Sequence, residues 1–199
     1  MVKAGVYLLV KLAPLFDGTY AGLLVALLGG FTFMMTSMIA ISQSDAKKVL
    51  AYSTIANLGL IVMCAGIGTY EALWAAVLLI IFHAVAKCLL FLCVGSIAHV
   101  IGTRDIEAMD ALVLAMPRLT WLMLIGMAGM FLAPFGMLIS KWAALVAVID
   151  ANPILTFLLI YGSGATLFFW VKWMGRLLSV SQLGPSRASM PDAIERPGS

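Results

Sequence analysis

Charge is what this sequence has least of. Only 11% of its 199 residues are Asp, Glu, Lys or Arg, against 63% that are hydrophobic. A soluble domain carries about 25% charged residues, and several stretches here exceed 18 apolar residues, the length at which a helix crosses a bilayer. The composition therefore gives an all-α, polytopic transmembrane bundle whose first partner is the lipid bilayer. Acid is scarcer still at depth. All nine acidic residues (Asp17, Asp45, Glu71, Asp105, Glu107, Asp110, Asp150, Asp192 and Glu195) fall outside the apolar runs.

Other absences narrow the chemistry. The three cysteines, Cys64, Cys88 and Cys93, form no CxxC pair and read as small buried hydrophobes within helices. There are two histidines, and only His83 lies within an apolar core, so a haem held between facing histidines is excluded. No P-loop, no GxGxxG after a strand and no hydrolase constellation occurs. The expectation is that the chain holds no cofactor, no metal and no catalytic site. The net charge of +3 is scattered between apolar blocks, which excludes a nucleic-acid surface. The opening MVKAGVYLLVKLAPLF lacks the cleavage site of a signal peptide and reads as the interior of a membrane helix.

Along the chain, apolar runs and turn signals predict helices over about 2–16, 20–41, 47–68 and 72–97. A polar connection with a short surface helix follows over 98–116, where Arg104, Asp105, Glu107 and Asp110 cluster. Ser44 or Asp45 caps the third helix. The block 117–149 is too long for one plain span and too short for two with a turn. Ala133-Pro134-Phe135-Gly136 sits at its centre, so it reads as one discontinuous helix broken at Pro134 and Gly136. Broken helices at membrane depth line a cavity or are buried in protein. A last helix covers about 154–174. This makes about six spans in a domain over 1–178, followed by a polar Pro/Gly/Ser-rich tail over 179–199 that reads as disordered.

Six spans put Lys47, Lys48, Arg104, Arg118, Lys172 and Arg176 on one side, and Asp17, Glu71 and Asp150 on the other. The positive-inside rule makes the first side cytoplasmic, with both termini there, in a cell inner (plasma) membrane.

The residues that can carry chemistry are lysines. Lys87 lies mid-span, where an ammonium costs ~2.5–3.5 kcal/mol on insertion scales, and His83 precedes it by one turn on the same helix face. Lys141 follows the break. With no carboxylate at depth, a lysine out of water loses its preference for the charged form and can exchange a proton. A His beside it can pass protons on. Lys87, His83 and Lys141 thus make a plausible proton relay. Plainer readings stand beside it. Lys3 and Lys11 snorkel to an interface, Lys47 and Lys48 anchor the cytoplasmic side, and the deep lysines only hydrogen-bond neighbouring helices. His99, at a helix end, reads as an interface residue.

Four segments in order, MVKAGVYLL (1–9), SDAKKVLAYSTIANLGLI (44–61), FHAVAKCLLFLCVGSIAHVIGTRDI (82–106) and APFGMLISKW (133–142), resemble the antiporter-like membrane subunits of the respiratory complex I superfamily. That superfamily includes NADH–quinone oxidoreductase, energy-converting hydrogenases, formate hydrogenlyase and multisubunit cation/proton antiporters. The resemblance implies that the lysine of DxKxxLAYS, here Lys47, lies on a polar axis along the membrane midplane. It further implies that Lys87, with His83, continues this axis and that Lys141 belongs to an exit half-channel, with Lys3 and Lys48 as accessory positions. Some members carry a second histidine one turn before His83, where this chain has Leu79. The family's two inverted repeats imply that this chain holds most of the second. They also imply a proton-translocating role in an oxidoreductase complex, with redox centres in partner membrane subunits. GTRDI and PFGMLISKW look most like the hydrogenase and multisubunit-antiporter branches. A Na⁺/H⁺ antiporter subunit is the alternative, and a structural module without transport is the alternative of another class. Sodium needs oxygen ligands; none is acidic at depth, so H⁺ is favoured over Na⁺.

Overall fold

The computed structural model describes residues 2–102, 105, 106, 109, 112–131 and 136–178. Met1, Arg104, Glu107, Asp110, Pro134 and the tail 179–199 lie outside the described residues. Among those described, all regular structure is helical, apart from an isolated bridge that pairs Asp45 with Asp105.

The helices begin and end where side-chain chemistry says they should. α1, Val2–Leu12, runs into a 3-10 turn at Ala13–Leu15 that contains Pro14. α2, Tyr20–Ile41, is capped by Thr19, whose hydroxyl accepts from Gly22 N at 3.1 Å. α3, Ala46–Ile67, starts under the Asp45 carboxylate, which accepts from Lys47 N at 2.8 Å and Lys48 N at 3.2 Å. It stops at Gly68, where φ is +77°. α4, Tyr70–Ile101, is capped by Thr69 and closed by Gly102 at φ +78°. It runs four residues beyond the predicted 97, because Ala98 to Ile101 carry no helix breaker and the left-handed glycine comes after them. α5, Leu112–Ala115, is the short helix expected in the polar connection, though its Leu112 is buried. α6, Pro117–Phe131, and α7, Met137–Ile149, are the two halves of the discontinuous span. α8, Pro153–Leu178, completes the bundle.

Among the described residues, α2, α3, α4 and α8 are each long and apolar enough to cross a membrane. The protein is an all-α, multi-pass membrane bundle. Inside lipid, helices associate through close packing rather than a hydrophobic drive, and small residues let backbones approach. Gly22 and Gly29 on α2 and Gly59 and Gly66 on α3 do this. Each pair is spaced seven residues apart, and antiparallel pairing sets Gly22 against Gly66 and Gly29 against Gly59. A Cβ on Gly66 would lie 2.4 Å from Ala26 N, and one on Gly29 2.5 Å from Met63 N. α8 packs on the other side of α2, where Phe33 fills the space left by Gly162. Trp170 and Trp173, both buried, stack with centroids 5.8 Å apart.

Cysteine needs one correction. Cys64 and Cys93 are buried as expected, but Cys88 is exposed on the bundle's outer surface. It follows Lys87 in sequence, and one residue along a helix turns the side chain away from the face that Lys87 occupies.

The two ends of the bundle differ in charge. At one end, Lys172 Nζ donates to the Ile41 carbonyl at 3.2 Å and Ile106 N donates to the Ser44 carbonyl at 2.8 Å. A groove there is lined by Gln43, Ser44, Ile106, Lys172 and Arg176. At the other end, Asp17, Thr69 and Asn152 line one hollow, and Glu71 and Asp150 line another. Lys172 and Arg176 thus lie at one end, and Asp17, Glu71 and Asp150 at the other.

Candidate functional site

Lys87 occupies the centre of the bundle, 5% exposed, where α4 meets α3. Its Nζ donates to the Leu50 carbonyl at 3.0 Å and to the Ser53 hydroxyl, and Ser53 Oγ itself donates to Leu50 O at 3.0 Å. The Trp170 ring lies 5.0 Å away, on the α8 side, and offers its π face. These partners are neutral oxygens and an aromatic face, so the ammonium is hydrogen-bonded but its charge is not neutralised there.

His83 sits one turn earlier on the same face, fully buried, and neither ring nitrogen has a protein hydrogen-bond partner. Lys87, Lys3 and Lys141 are its basic neighbours. Gly136 has φ +82°, and a Cβ there would fall 2.3 Å from the ring of Phe82, the residue before His83. Only glycine fits this contact and this backbone at once.

Lys141 lies in the second turn of α7, which starts at Met137, just after the break. It is 8% exposed, donates to Thr166 Oγ1 at 2.9 Å, and faces the Phe33 ring at 5.9 Å. Thr166 in turn donates to the Ser163 carbonyl at 2.7 Å. Ser140 Oγ ties the start of α7 to the Gly136 carbonyl at 2.8 Å.

The remaining lysines divide unexpectedly. Lys3 is half-buried and its Nζ donates to the Ile80 carbonyl at 3.1 Å, so it reaches α4 one turn from His83. Lys47 is half-buried in the first turn of α3, about 9 Å along the helix from Ser53. Lys48 is exposed. The structure therefore brings together Lys3, His83, Lys87 and Lys141, and leaves Lys47 and Lys48 at the end of the bundle. His99 is exposed.

Reading the sequence missed Ser53 and Thr166, buried residues that bond Lys87 and Lys141, and Asn57, buried one turn on from Ser53. Ser53 and Asn57 stand four apart in an apolar helix, which is a usable signal: polar side chains on one stripe of a membrane helix usually meet a polar partner. Among the described residues, no group of three or more His, Cys, Asp or Glu side chains gathers as a metal site would require.

Residues 1–168 match the transmembrane family of NADH:quinone oxidoreductase and Mrp antiporter subunits. The chain belongs to that family. It is 40% identical over 140 residues to F(420)H(2) dehydrogenase subunit L of Methanosarcina mazei, a match that covers 68% of this chain and 20% of that protein. It is 37% identical over 183 residues to NAD(P)H-quinone oxidoreductase chain 5 of Synechocystis sp., covering 86% of this chain and 26% of the relative. Among solved structures, the Mrp complex from Dietzia sp. superposes with a TM-score of 0.79 at 32% identity, over 87% of this chain and 20% of that one. The chain thus spans about a fifth to a quarter of the length of these relatives.

Proposed function

We propose that this chain is a proton-translocating part of a complex I-related membrane pump, of the NADH–quinone oxidoreductase or energy-converting hydrogenase kind. The observation that carries the reading is the burial of three basic side chains: Lys87 and Lys141, whose described hydrogen bonds go to neutral groups, and His83, whose ring nitrogens have no protein partner. Such groups exchange a proton at modest cost, because neither protonation state is locked by a fixed opposite charge.

In this reading Lys87 is the central carrier, and Ser53 and the Leu50 carbonyl hold its amine in place. His83 links it towards Lys3 on one side, and Lys141 with Thr166 leads to an exit near Gly136. Lys47, with Lys48 next to it, exchanges protons with water at the end of α3. The domain is the bundle over 1–178. The bundle end with Lys47 and Lys172 faces the cytoplasm of the inner membrane. Redox or driving subunits lie beside this chain in the membrane, and electrostatic changes arriving from them shift the lysines between protonation states.

A second reading, a subunit of a multisubunit Na⁺/H⁺ antiporter, draws on the likeness to the Mrp complex. Proton uptake by vesicles that carry the assembled complex separates the two. It should persist without Na⁺ and fall about tenfold or more in Lys141→Ala at unchanged complex content. Strict dependence on Na⁺ would favour the antiporter, and unchanged uptake in Lys141→Ala would favour a structural module without transport.

A further inference from the structure

The proton path leaves Asn57 without a role and His83 without a hydrogen-bond partner. Asn57 on α3 is 1% exposed, and its Nδ2 donates to the Ser53 carbonyl at 2.8 Å, but its Oδ1 is buried with no protein partner. His83 on α4 is in the same state at both ring nitrogens. α3 and α4 run antiparallel, and their register is pinned where Lys87 meets Leu50 and Ser53. One turn forward on α3 from Ser53 is Asn57, and one turn back on α4 from Lys87 is His83. Antiparallel helices rise equally per turn, so these two side chains come to the same level on facing stripes. An acceptor without a donor therefore stands opposite a ring that can both donate and accept.

Buried polar atoms are nearly always paired, and where protein does not pair them an ordered water does, given two or more polar partners. We propose that Asn57 Oδ1 and the His83 imidazole together bind a buried water, and that Asn57 is a positioning residue for His83. The water donates to Asn57 Oδ1 and accepts the N–H of one ring nitrogen. That arrangement fixes the tautomer and leaves the other nitrogen as the acceptor for an incoming proton. Ser53 joins the two stations, since it bonds Lys87 through its hydroxyl and Asn57 through its carbonyl. The inference rests on the proton-path reading above.

A map of the assembled membrane complex at a resolution that shows waters tests the site itself. Density within hydrogen-bond distance of both Asn57 Oδ1 and a His83 nitrogen is expected; direct contact between amide and imidazole, or no density between them, overturns the proposal. Function is tested with two variants. Asn57→Leu removes the acceptor at similar volume and should lower proton translocation per assembled complex about tenfold. Asn57→Ser keeps an oxygen for the water and should retain most of it. Equal translocation in Asn57→Leu and the parent overturns the positioning role, and should Asn57→Leu fail to assemble, Asn57→Ser and the map decide. Lys87→Ala in the same assay tells the two levels apart. Loss there with normal Asn57→Leu removes only this inference, whereas normal pumping in Lys87→Ala removes the proton path beneath it.

Discussion

α3 has two seams that could hardly differ more. Towards α2 it is made of glycine, and the backbones touch so closely that a methyl group on Gly66 would overlap Ala26 N at 2.4 Å. Towards α4 it carries Ser53, which bonds Lys87, and one turn on Asn57, whose Oδ1 is buried without a protein partner, as are both ring nitrogens of His83 on α4. The first seam is backbone packed on backbone. The second has spare hydrogen-bonding capacity, which is what a group that changes protonation state needs. Rigidity on one side of the helix holds the register on which the other side depends.

Breaking the glycine seam should give the largest effect. Gly66→Val forces α2 and α3 apart at a cost of about 3 kcal/mol, so the assembled complex should fail to accumulate on native gels. Normal accumulation would show that the seam does not hold the bundle. On the polar seam, Ser53→Ala removes one partner of the Lys87 ammonium but leaves the Leu50 carbonyl. Losing one hydrogen bond to a charged group is worth about 1.5–3 kcal/mol. The complex should assemble with a lower melting temperature and slower proton translocation; an unchanged melting temperature would mean that water replaces the hydroxyl fully.

Lys3 and Lys47 sharpen the comparison further. Lys3→Leu cuts a bond to the α4 backbone near His83 and should slow proton translocation several-fold. Lys47→Ala should slow it less than about twofold, because water reaches the end of α3 directly. The reverse order would put the path on α3's first turn. Least of all, Gly95→Ala meets nothing within 4 Å. It should leave stability within about 0.5 kcal/mol of the parent, and a larger loss would reveal a partner helix against that face of α4.

How much of this was legible in the residues follows from what each signal depends on. Caps and stops are local, so Asp45 and the polar turns before α2 and α4 announced helix boundaries that the structure keeps. The break in 117–149 was legible because Pro134 and Gly136 interrupt an apolar run, although only Gly136 lies among the described residues. Depth is not local. Lys3 and Lys47 look alike in sequence, each in or beside an apolar run. Only the packing of α1 against α4 shows that Lys3 turns inward, whereas Lys47 stays in α3's first turn. Asn57 left a trace in its spacing from Ser53, but that its Oδ1 is buried without a protein partner is set by packing alone.

The central claim is that the α3–α4 polar seam moves protons rather than only joining helices. Its most direct test is proton translocation per electron transferred, in vesicles that carry the assembled complex with Lys87→Ala. The account predicts normal complex content, surviving electron transfer at partner redox centres, and proton translocation reduced about tenfold or more. Assembly intact with an unchanged ratio of protons to electrons would contradict it.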